Sequence, residues 1–512
     1  MPQILDSFER LVASSPRSAA LGFIAAGVML TISFAPFGLR FLAPVAVLPV
    51  LISALLFTPR ESARFGFFFG LGMFGSGTYW IYVSVHVFGQ APLWIALLLM
   101  ASLVLIMSTY CALIAGGASA LSGRSPWRLV VVAPAVWVVV EWMRGWLFSG
   151  FPWLSVGYGQ IDSPLAGWAP VLGVYGVSLM LLVSVVAVVP LLAGAPRRWA
   201  AVLLLLSPWV AGSALQLVEW TEPAGEARIT TLVQGGVPQD RKWLRAQFAP
   251  TLTLYRDALI AARESHLVVW PEVAIPAVMS RVPAYLDQLQ RDVAAGNKTL
   301  ALGILEPHAN GTQVYNSVLL LDGRREQTYR KRHLVPFGEY FPVPDFVREW
   351  MRLLSLPNTD MHAGAAEQPV LVAADGTRLA AAICYEDAYG AEQLMGLPEA
   401  EILINVSNDA WFGDSIAPHQ HLEVARMRAL EVGRWIARAT NTGISAFIEP
   451  DGSLHAVAPQ FEFATLTAAL EPRSGATPYV RTGNTPLITL LAAILAARLL
   501  LTIRAKRLYS ID

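Results

Sequence analysis

Charge is scarce in this chain. Asp, Glu, Lys and Arg make up 14% of 512 residues, against 55% hydrophobic residues. That composition excludes an ordinary soluble protein of this length. The formal net charge is zero and no basic stripe stands out, so nucleic acid is excluded as a partner. Cysteine is nearly absent, with Cys111 and Cys384 the only two. Cys111 falls inside a long apolar run, which leaves Cys384 without an obvious partner and excludes a disulfide framework. Metal-ligand clusters are lacking too. His419 and His421 form an H-x-H pair, but a metal needs more ligands within reach, so polar residues at a helix start are the expectation there. The first apolar run has no clear small-residue cleavage site and is followed by further runs, so no cleavable leader is expected.

What the chain does have is apolar runs in series. A helix needs about 20 apolar residues to cross a bilayer, and the runs 19–35, 41–57, 65–85, 91–117, 128–146, 170–193, 198–217 and 484–503 qualify as spans. The first two are short and contain proline. The stretch 147–169, aromatic and broken by Gly and Pro, is expected as an interfacial or re-entrant loop. A single run of this kind fits a buried core helix equally well, but eight in series predict a polytopic α-helical membrane domain of about eight spans. Basic residues alternate between connections: Arg10, Arg17, Arg60, Arg64, Arg124, Arg128, Arg197 and Arg198 fall on one side, with Arg504, Lys506 and Arg507 after the last run. The opposite connections carry little beyond Arg40 and an Arg144 beside Glu141. By the positive-inside rule both termini are cytoplasmic and the block between spans seven and eight faces outward. The expected domains are 1–218, 219–483 and 484–512.

The outer block changes character. Short β-rich runs at 227–234, 266–270, 300–305, 315–321, 379–384, 401–407, 435–439 and 445–449 alternate with helical patterns near 244–264, 282–295 and 418–434. A turn at Asp375-Gly376 joins 369–373 to 379–384 as a hairpin. Strands apolar on both faces belong between helical layers, so the block is predicted as α/β. In such sheets functional groups gather where strands end. Glu272 follows "V-V-W-P", Lys331 follows "Q-T-Y-R" and Cys384 closes "A-A-A-I". Each also has a plain reading: a capping or salt-bridging Glu, a surface Lys within Arg330-Lys331-Arg332, an inert buried thiol.

The motifs "W-P-E" (270–272), "Y-R-K-R-H-L-V-P-F-G-E-Y" (329–340) and "C-Y-E" (384–386) resemble the carbon–nitrogen hydrolase (nitrilase) superfamily. Together with the spans and "N-D-A-W-F-G" (408–413), nearly the whole chain resembles the apolipoprotein N-acyltransferase family. The resemblance implies a nitrilase-like αββα sandwich facing the periplasm, held in a bacterial inner membrane. It implies a catalytic Glu272, Lys331 and Cys384. Glu272 is then the base that takes the thiol proton, needed because a free thiol is mostly protonated at neutral pH, and Lys331 stabilises the oxyanion. Glu339 is expected to orient Lys331 or Glu272, and Tyr385 and Glu386 to support the site. Trp243 matches a tryptophan near the substrate entrance, though a buried packing role fits as well, and Asn316 is expected to hydrogen-bond near the pocket.

The implied reaction moves a fatty acyl chain from a phospholipid donor, through a Cys384 thioester, to the N-terminal amine of a diacylglyceryl apolipoprotein acceptor. No cofactor is required, and a monomer is expected. The segment 344–355, with Phe346, Val347, Trp350, Met351, Leu353 and Leu354 on one stripe, is predicted as an interfacial helix or lid, or as ordinary packing on the domain. Trp411 and Phe412 are candidates to dip into lipid. The competing functional readings are a membrane-anchored amidase and a transporter with an outer binding domain. The transporter predicts charge along the spans, where Glu141 and Arg144 are the main examples.

Overall fold

The computed structural model describes residues 2–508 apart from 312, 342, 343, 345, 347, 348 and 350–359. Apart from Pro344, Phe346 and Glu349, the expected lid at 344–355 therefore lies outside the described residues. The chain divides into two compact units, Met1–Tyr82 with Pro92–Glu219 and Arg481–Asp512, and Val83–Ala91 with Trp220–Val480.

The first unit is helical. Helices occupy each place where a span was predicted: Pro16–Ile32, Leu42–Leu56, Pro59–Gly77, Leu93–Ser122, Pro126–Arg144, Ala169–Val186, Arg198–Leu215 and Thr485–Leu508. Among the described residues, five helical stretches are long and apolar enough to cross a membrane, or six if the bent pair Gln3–Ser14 and Pro16–Ile32 counts as one. Leu42–Leu56 is too short on that measure. Small residues let the helices close up. Gly27 and Gly72 face one another across Pro16–Ile32 and Pro59–Gly77, and a Cβ on Gly27 would sit 2.6 Å from the Met73 nitrogen.

The run predicted at 65–85 is shorter as a helix than its hydropathy suggested. It ends at Gly77, and Val83–Phe88 forms a π-helical turn that belongs to the second unit. The stretch 147–169 is a folded loop of three 3₁₀ turns. Non-helical backbone in an apolar setting must find partners, and the end of the helix Pro126–Arg144 supplies them. Arg144 donates to the carbonyls of Phe151 and Trp153 and to the Ser155 hydroxyl, while Glu141 accepts from the Val156 N–H at 2.9 Å. The two charges that a transporter would place along a solute path are thus spent on holding a loop.

The second unit is a four-layer sandwich. Its strands are β1 (Glu222–Pro223), β2 (Arg228–Gln234), β3 (Leu267–Val269), β4 (Thr299–Pro307), β5 (Val314–Leu321), β6 (Glu326–Arg330), β7 (Leu371–Val372), β8 (Arg378–Ile383), β9 (Ile402–Ser407), β10 (Ile436–Thr440), β11 (Ala446–Ile448), β12 (Leu454–Val457), β13 (Ala464–Leu470) and β14 (Arg473–Ser474). Two six-stranded sheets form, in the orders β13-β2-β3-β4-β5-β6 and β12-β11-β10-β9-β8-β7. In each, three central strands are parallel and the flanks antiparallel.

The inner faces meet in one core that includes Leu232, Val269, Val318 and Leu320 from one sheet and Leu379, Ile383, Ile404 and Phe447 from the other. The outer faces are covered by helices. Tyr255, Leu259, Leu286 and Leu289, from Arg245–Ala261 and Pro283–Gly296, pack on Val268, Leu300 and Leu302. Leu422, Ala425 and Ala429, from Ala417–Val432, pack on Leu403 and Ile436. Strands covered on both faces are apolar throughout, which is why "I-L-I-N-V-S" and "T-L-A-L-G-I-L" lack alternation. Truncating a fully buried leucine such as Leu289 costs about 2–5 kcal/mol.

Candidate active site

Four polar side chains converge from one sheet. Asn316 sits on β5, and Lys331 is the first residue past β6, its N–H bonded to the Asn316 carbonyl at 2.8 Å. Glu272 lies in the turn after β3, which crosses β4 at Gly303, where a Cβ would come within 2.6 Å of the Glu272 Cα. Glu339 comes from the loop beyond Lys331. The Asn316 amide donates to Glu272 Oε1 at 2.6 Å and to Glu339 Oε1 at 3.1 Å. Lys331 Nζ lies 2.7 Å from Glu339 Oε1 and 3.6 Å from Glu272 Oε1. Val335 N–H donates to the other Glu339 oxygen at 2.8 Å. All four side chains are buried. Burial works against the Lys331 charge, but the carboxylates of Glu339 and Glu272 outweigh it and hold the ammonium protonated well above its ordinary range.

Cys384 arrives from the other sheet, at the end of β8 and the start of a 3₁₀ turn, Cys384–Ala388. Its φ is +53°, Val273 beside Glu272 stands at +46° and Phe337 near Glu339 at +62°. Non-glycine residues rarely adopt such values, and strain of this kind clusters where a site over-determines its geometry. Burial pushes the Cys384 thiol well above its usual range. The Glu272 charge pushes the same way, and Lys331 and the Ser407 hydroxyl oppose it. Burial and the Glu272 charge thus favour the neutral thiol, and the Lys331 ammonium favours the thiolate.

The two carboxylates after the cysteine do not point at the sulfur. Glu386 accepts from the N–H groups of Ile383 and Arg332, each at 2.7 Å, and from the Tyr329 hydroxyl. Burial still raises its pKa, with those N–H groups opposing. Tyr385 packs edge-on against Tyr389, which stacks on His333 at 3.6 Å. Trp243 is 54% exposed, so the buried packing alternative does not hold. Its neighbour Lys242 is buried and donates to the Glu272 carbonyl at 3.2 Å. Burial pulls that ammonium down to about 8, against the pull of Glu272.

A second buried cluster lies behind Cys384, and the sequence reading missed it. His421 Nδ1 lies 2.8 Å from Asp409 Oδ1 and 2.9 Å from Arg438 Nη2, and Nε2 lies 2.8 Å from Asp387 Oδ1 and 3.2 Å from the Cys384 carbonyl. Arg438 bridges the same carboxylates at 2.9 and 3.0 Å. Two anions and two cations balance, as buried charge requires. Burial and Arg438 oppose the imidazolium, yet Asp387 and Asp409 push His421 up to about 9. Burial likewise resists the Asp409 charge, but His421 and Arg438 hold it below the usual carboxylate range. His419 and His421 do lie in the opening turns of Ala417–Val432, as expected, but His421 is on the buried side and paired with charge rather than simply a polar residue there. The available signal was Arg438 inside the apolar strand "I-A-R-A-T", since a charge there must have partners. Among the described residues no group of side chains could hold a metal ion.

Comparison with known proteins follows this division. The family model for the apolipoprotein N-acyltransferase N-terminal domain matches residues 26–187, and that for carbon-nitrogen hydrolase matches residues 211–479. The apolipoprotein N-acyltransferase of Methylococcus capsulatus is 43% identical over 93% of this chain and 95% of its own. That of Nitrosomonas europaea is 40% identical over 94% and 97%. Among solved structures, an amidase from Nesterenkonia sp. aligns at 17% identity over 52% of this chain and 96% of its own, with a TM-score of 0.37.

Proposed function

The chain belongs to the apolipoprotein N-acyltransferase family and is an acyltransferase with a carbon–nitrogen hydrolase fold; on that premise we propose that Cys384 carries a fatty acyl chain between two lipid substrates. In the first half-reaction Glu272 takes the thiol proton as sulfur attacks an ester carbonyl of a phospholipid. Lys331 faces the developing oxyanion, where one such donor is worth about 3–4 kcal/mol. When the intermediate collapses, Glu272 returns the proton to the departing oxygen, leaving a thioester and a lysophospholipid.

In the second half-reaction the N-terminal amine of a diacylglyceryl-cysteine apolipoprotein attacks the thioester. Glu272 accepts a proton from that nitrogen, the C–S bond breaks, and the proton goes back to sulfur. The product is an amide and the free enzyme. Moving a proton between Cys384 and Glu272 leaves the net charge of the buried site unchanged, which suits a pocket closed to water. Glu339 and Asn316 hold Lys331 and Glu272 apart and in register, while Tyr385 and Glu386 fix the turn that carries the sulfur. Trp243 stands at the substrate entrance.

The observation that carries this reading is the convergence of Glu272, Asn316, Lys331 and Glu339 in one hydrogen-bonded cluster whose charges act on the Cys384 thiol. We take the helices at all eight predicted positions as spans, with both termini cytoplasmic and the second unit on the periplasmic face of the inner membrane, and the enzyme as a monomer. Intact mass after mixing with phospholipid tests the chemistry. An acyl adduct is expected on the protein, absent in Cys384→Ala, accumulating without an amine acceptor and discharged by a diacylglyceryl-cysteine peptide. Absence of the adduct, or release of ammonia from a small amide in its place, overturns the reading in favour of an amidase.

A further inference from the structure

The turn that carries the sulfur is tied down on two sides. On one side Glu386 accepts from the Arg332 N–H and the Tyr329 hydroxyl, which joins the turn to the strand end bearing Lys331. The other side faces the buried His421 cluster, from which the proposed half-reactions use no group. Cys384 packs in the core between the sheets with its backbone at a φ of +53°. A non-glycine residue keeps such a φ only where its surroundings over-determine it. Glu386 accepts from the Ile383 N–H, ahead of the cysteine. The group behind it, the Cys384 carbonyl, is met by His421 Nε2 at 3.2 Å. The same nitrogen lies 2.8 Å from Asp387 Oδ1. One imidazole nitrogen thus spans the turn Cys384–Ala388 from its first residue to its fourth.

His421 is itself held. Its side chain is fully buried, and Nδ1 lies between Asp409 Oδ1 and Arg438 Nη2. Asp409 follows the end of β9 and Arg438 stands on β10, so the ring is fixed against the two strands next to β8 in the same sheet. Nε2 faces a carbonyl and a carboxylate, which both accept, so it keeps its proton. Nδ1 meets a carboxylate and a guanidinium: with a proton it donates to Asp409, and without one it accepts from Arg438. The contact at Nε2 therefore outlasts a change of charge at His421. We propose that His421 is a positioning residue for acyl transfer: its Nε2–H clamps the Cys384 carbonyl and the Asp387 carboxylate, holding the cysteine in the left-handed conformation that aims its sulfur between the sheets. The clamp serves both half-reactions, since sulfur is nucleophile in the first and leaving group in the second. No bond is made or broken at His421; it acts through the cysteine backbone.

This inference rests on the reading of Cys384 as the nucleophile, and its test separates the two. Two neutral replacements divide the ring between them. Glutamine sets an amide N–H near the place of Nε2, within reach of the Cys384 carbonyl. Asparagine, one carbon shorter, sets its amide near Nδ1 and leaves that carbonyl without the donor. Both lose the same buried charge, so a merely structural role moves them alike. In the full-length enzyme, His421→Asn is expected to slow acyl-adduct formation by about 10- to 100-fold per folded molecule, with little change in KM for phospholipid. His421→Gln is expected to recover most of that loss. Equal rates in the two folded variants, or a faster His421→Asn, overturn the proposal. If either variant does not fold, a distance in the parent decides. In a Cys111→Ala background, cysteine labelled with ¹³C at the carbonyl marks Cys384 alone, and solid-state NMR recouples it to ¹⁵N-labelled histidine rings. From the 3.2 Å contact and the length of a C=O bond, the two labels are expected about 4 Å apart. That holds in the resting enzyme and in the acyl-enzyme that accumulates without an amine acceptor. Retention in both states upholds the clamp, and its loss in either overturns it. Absence of any acyl adduct in the parent overturns the nucleophile reading instead and leaves the resting distance standing.

Discussion

Neutralising Glu339 while keeping its shape, as in Glu339→Gln, is expected to slow acylation of Cys384 without abolishing it. In the native site Lys331 sits 2.7 Å from Glu339 and 3.6 Å from Glu272. Glu339 thus draws the ammonium away from Glu272, the proposed acceptor of the thiol proton. With Glu339 uncharged, Lys331 is free to close on Glu272. Closing from 3.6 to 2.7 Å at an effective dielectric of about 20 strengthens that pair by about 1.5 kcal/mol, or roughly one pKa unit of lost basicity. The glutamine also has a donor where the carboxylate had an acceptor. With its oxygen toward Lys331 and Asn316, its amide nitrogen meets the Val335 N–H that Glu339 accepts at 2.8 Å. Loss of basicity and displacement of Lys331 together are expected to lower the acylation rate by about 10- to 100-fold. The assay is single-turnover formation of the acyl adduct, followed by intact mass, with folding checked by thermal unfolding in detergent. A folded Glu339→Gln enzyme that acylates at the native rate would refute the argument that Glu339 holds Lys331 off the base.

Further tests follow from other parts of the same geometry. Asn316→Ala removes donors to both Glu272 and Glu339 and is expected to cost about 10- to 100-fold in kcat/KM; an unchanged kcat/KM would mean the two carboxylates hold their places unaided. Lys331→Met leaves two carboxylates facing one another without a counter-charge, so about 3–5 kcal/mol of stability should go along with activity, and denaturant unfolding checks it. Raising the pH should loosen the fold through His421. Its folded pKa of about 9 lies above the ordinary value of 6.5, so its contribution is complete below about 6.5 and is lost as pH climbs through about 9; equal melting temperatures at pH 7 and pH 10 would contradict this. Trp243→Ala, at a half-exposed position, should change stability by less than about 0.5 kcal/mol while raising KM for phospholipid, and an unchanged KM would remove Trp243 from the entrance.

Much of the sandwich was legible because buried parallel strands leave apolar runs. The runs 227–234, 300–305 and 401–407 correspond to β2, β4 and β9 within one or two residues at their ends. The helices near 244–264, 282–295 and 418–434 are likewise present. What escaped notice was exposed or flanking. β12, with the sequence Leu-His-Ala-Val, is mostly exposed, and β13 alternates Thr with apolar residues. Neither offers a solid apolar run. At the site, Glu272, Lys331 and Cys384 stood out because motifs surrounded them. Asp387 and Arg438 carry no such label, and neither the motif around Asp409 nor the H-x-H pair containing His421 says what those residues meet. Their partnership is a matter of which strand lies beside which, and hydrogen bonds between residues as far apart as 387 and 438 leave no periodicity to detect.

The split of the site across the two sheets has a consequence for how the chain comes off the ribosome. Everything that would accept a proton or steady an oxyanion is threaded before residue 340, and the sulfur and its entourage only afterwards. Either half by itself is chemically mute: one has no nucleophile, the other a protonated thiol with nothing to ionise it. On the proposed mechanism, reactivity therefore switches on in the same event that seals the interior between the sheets. On that mechanism an immature copy, its sheets not yet joined, has no means of acylating whatever amine drifts past.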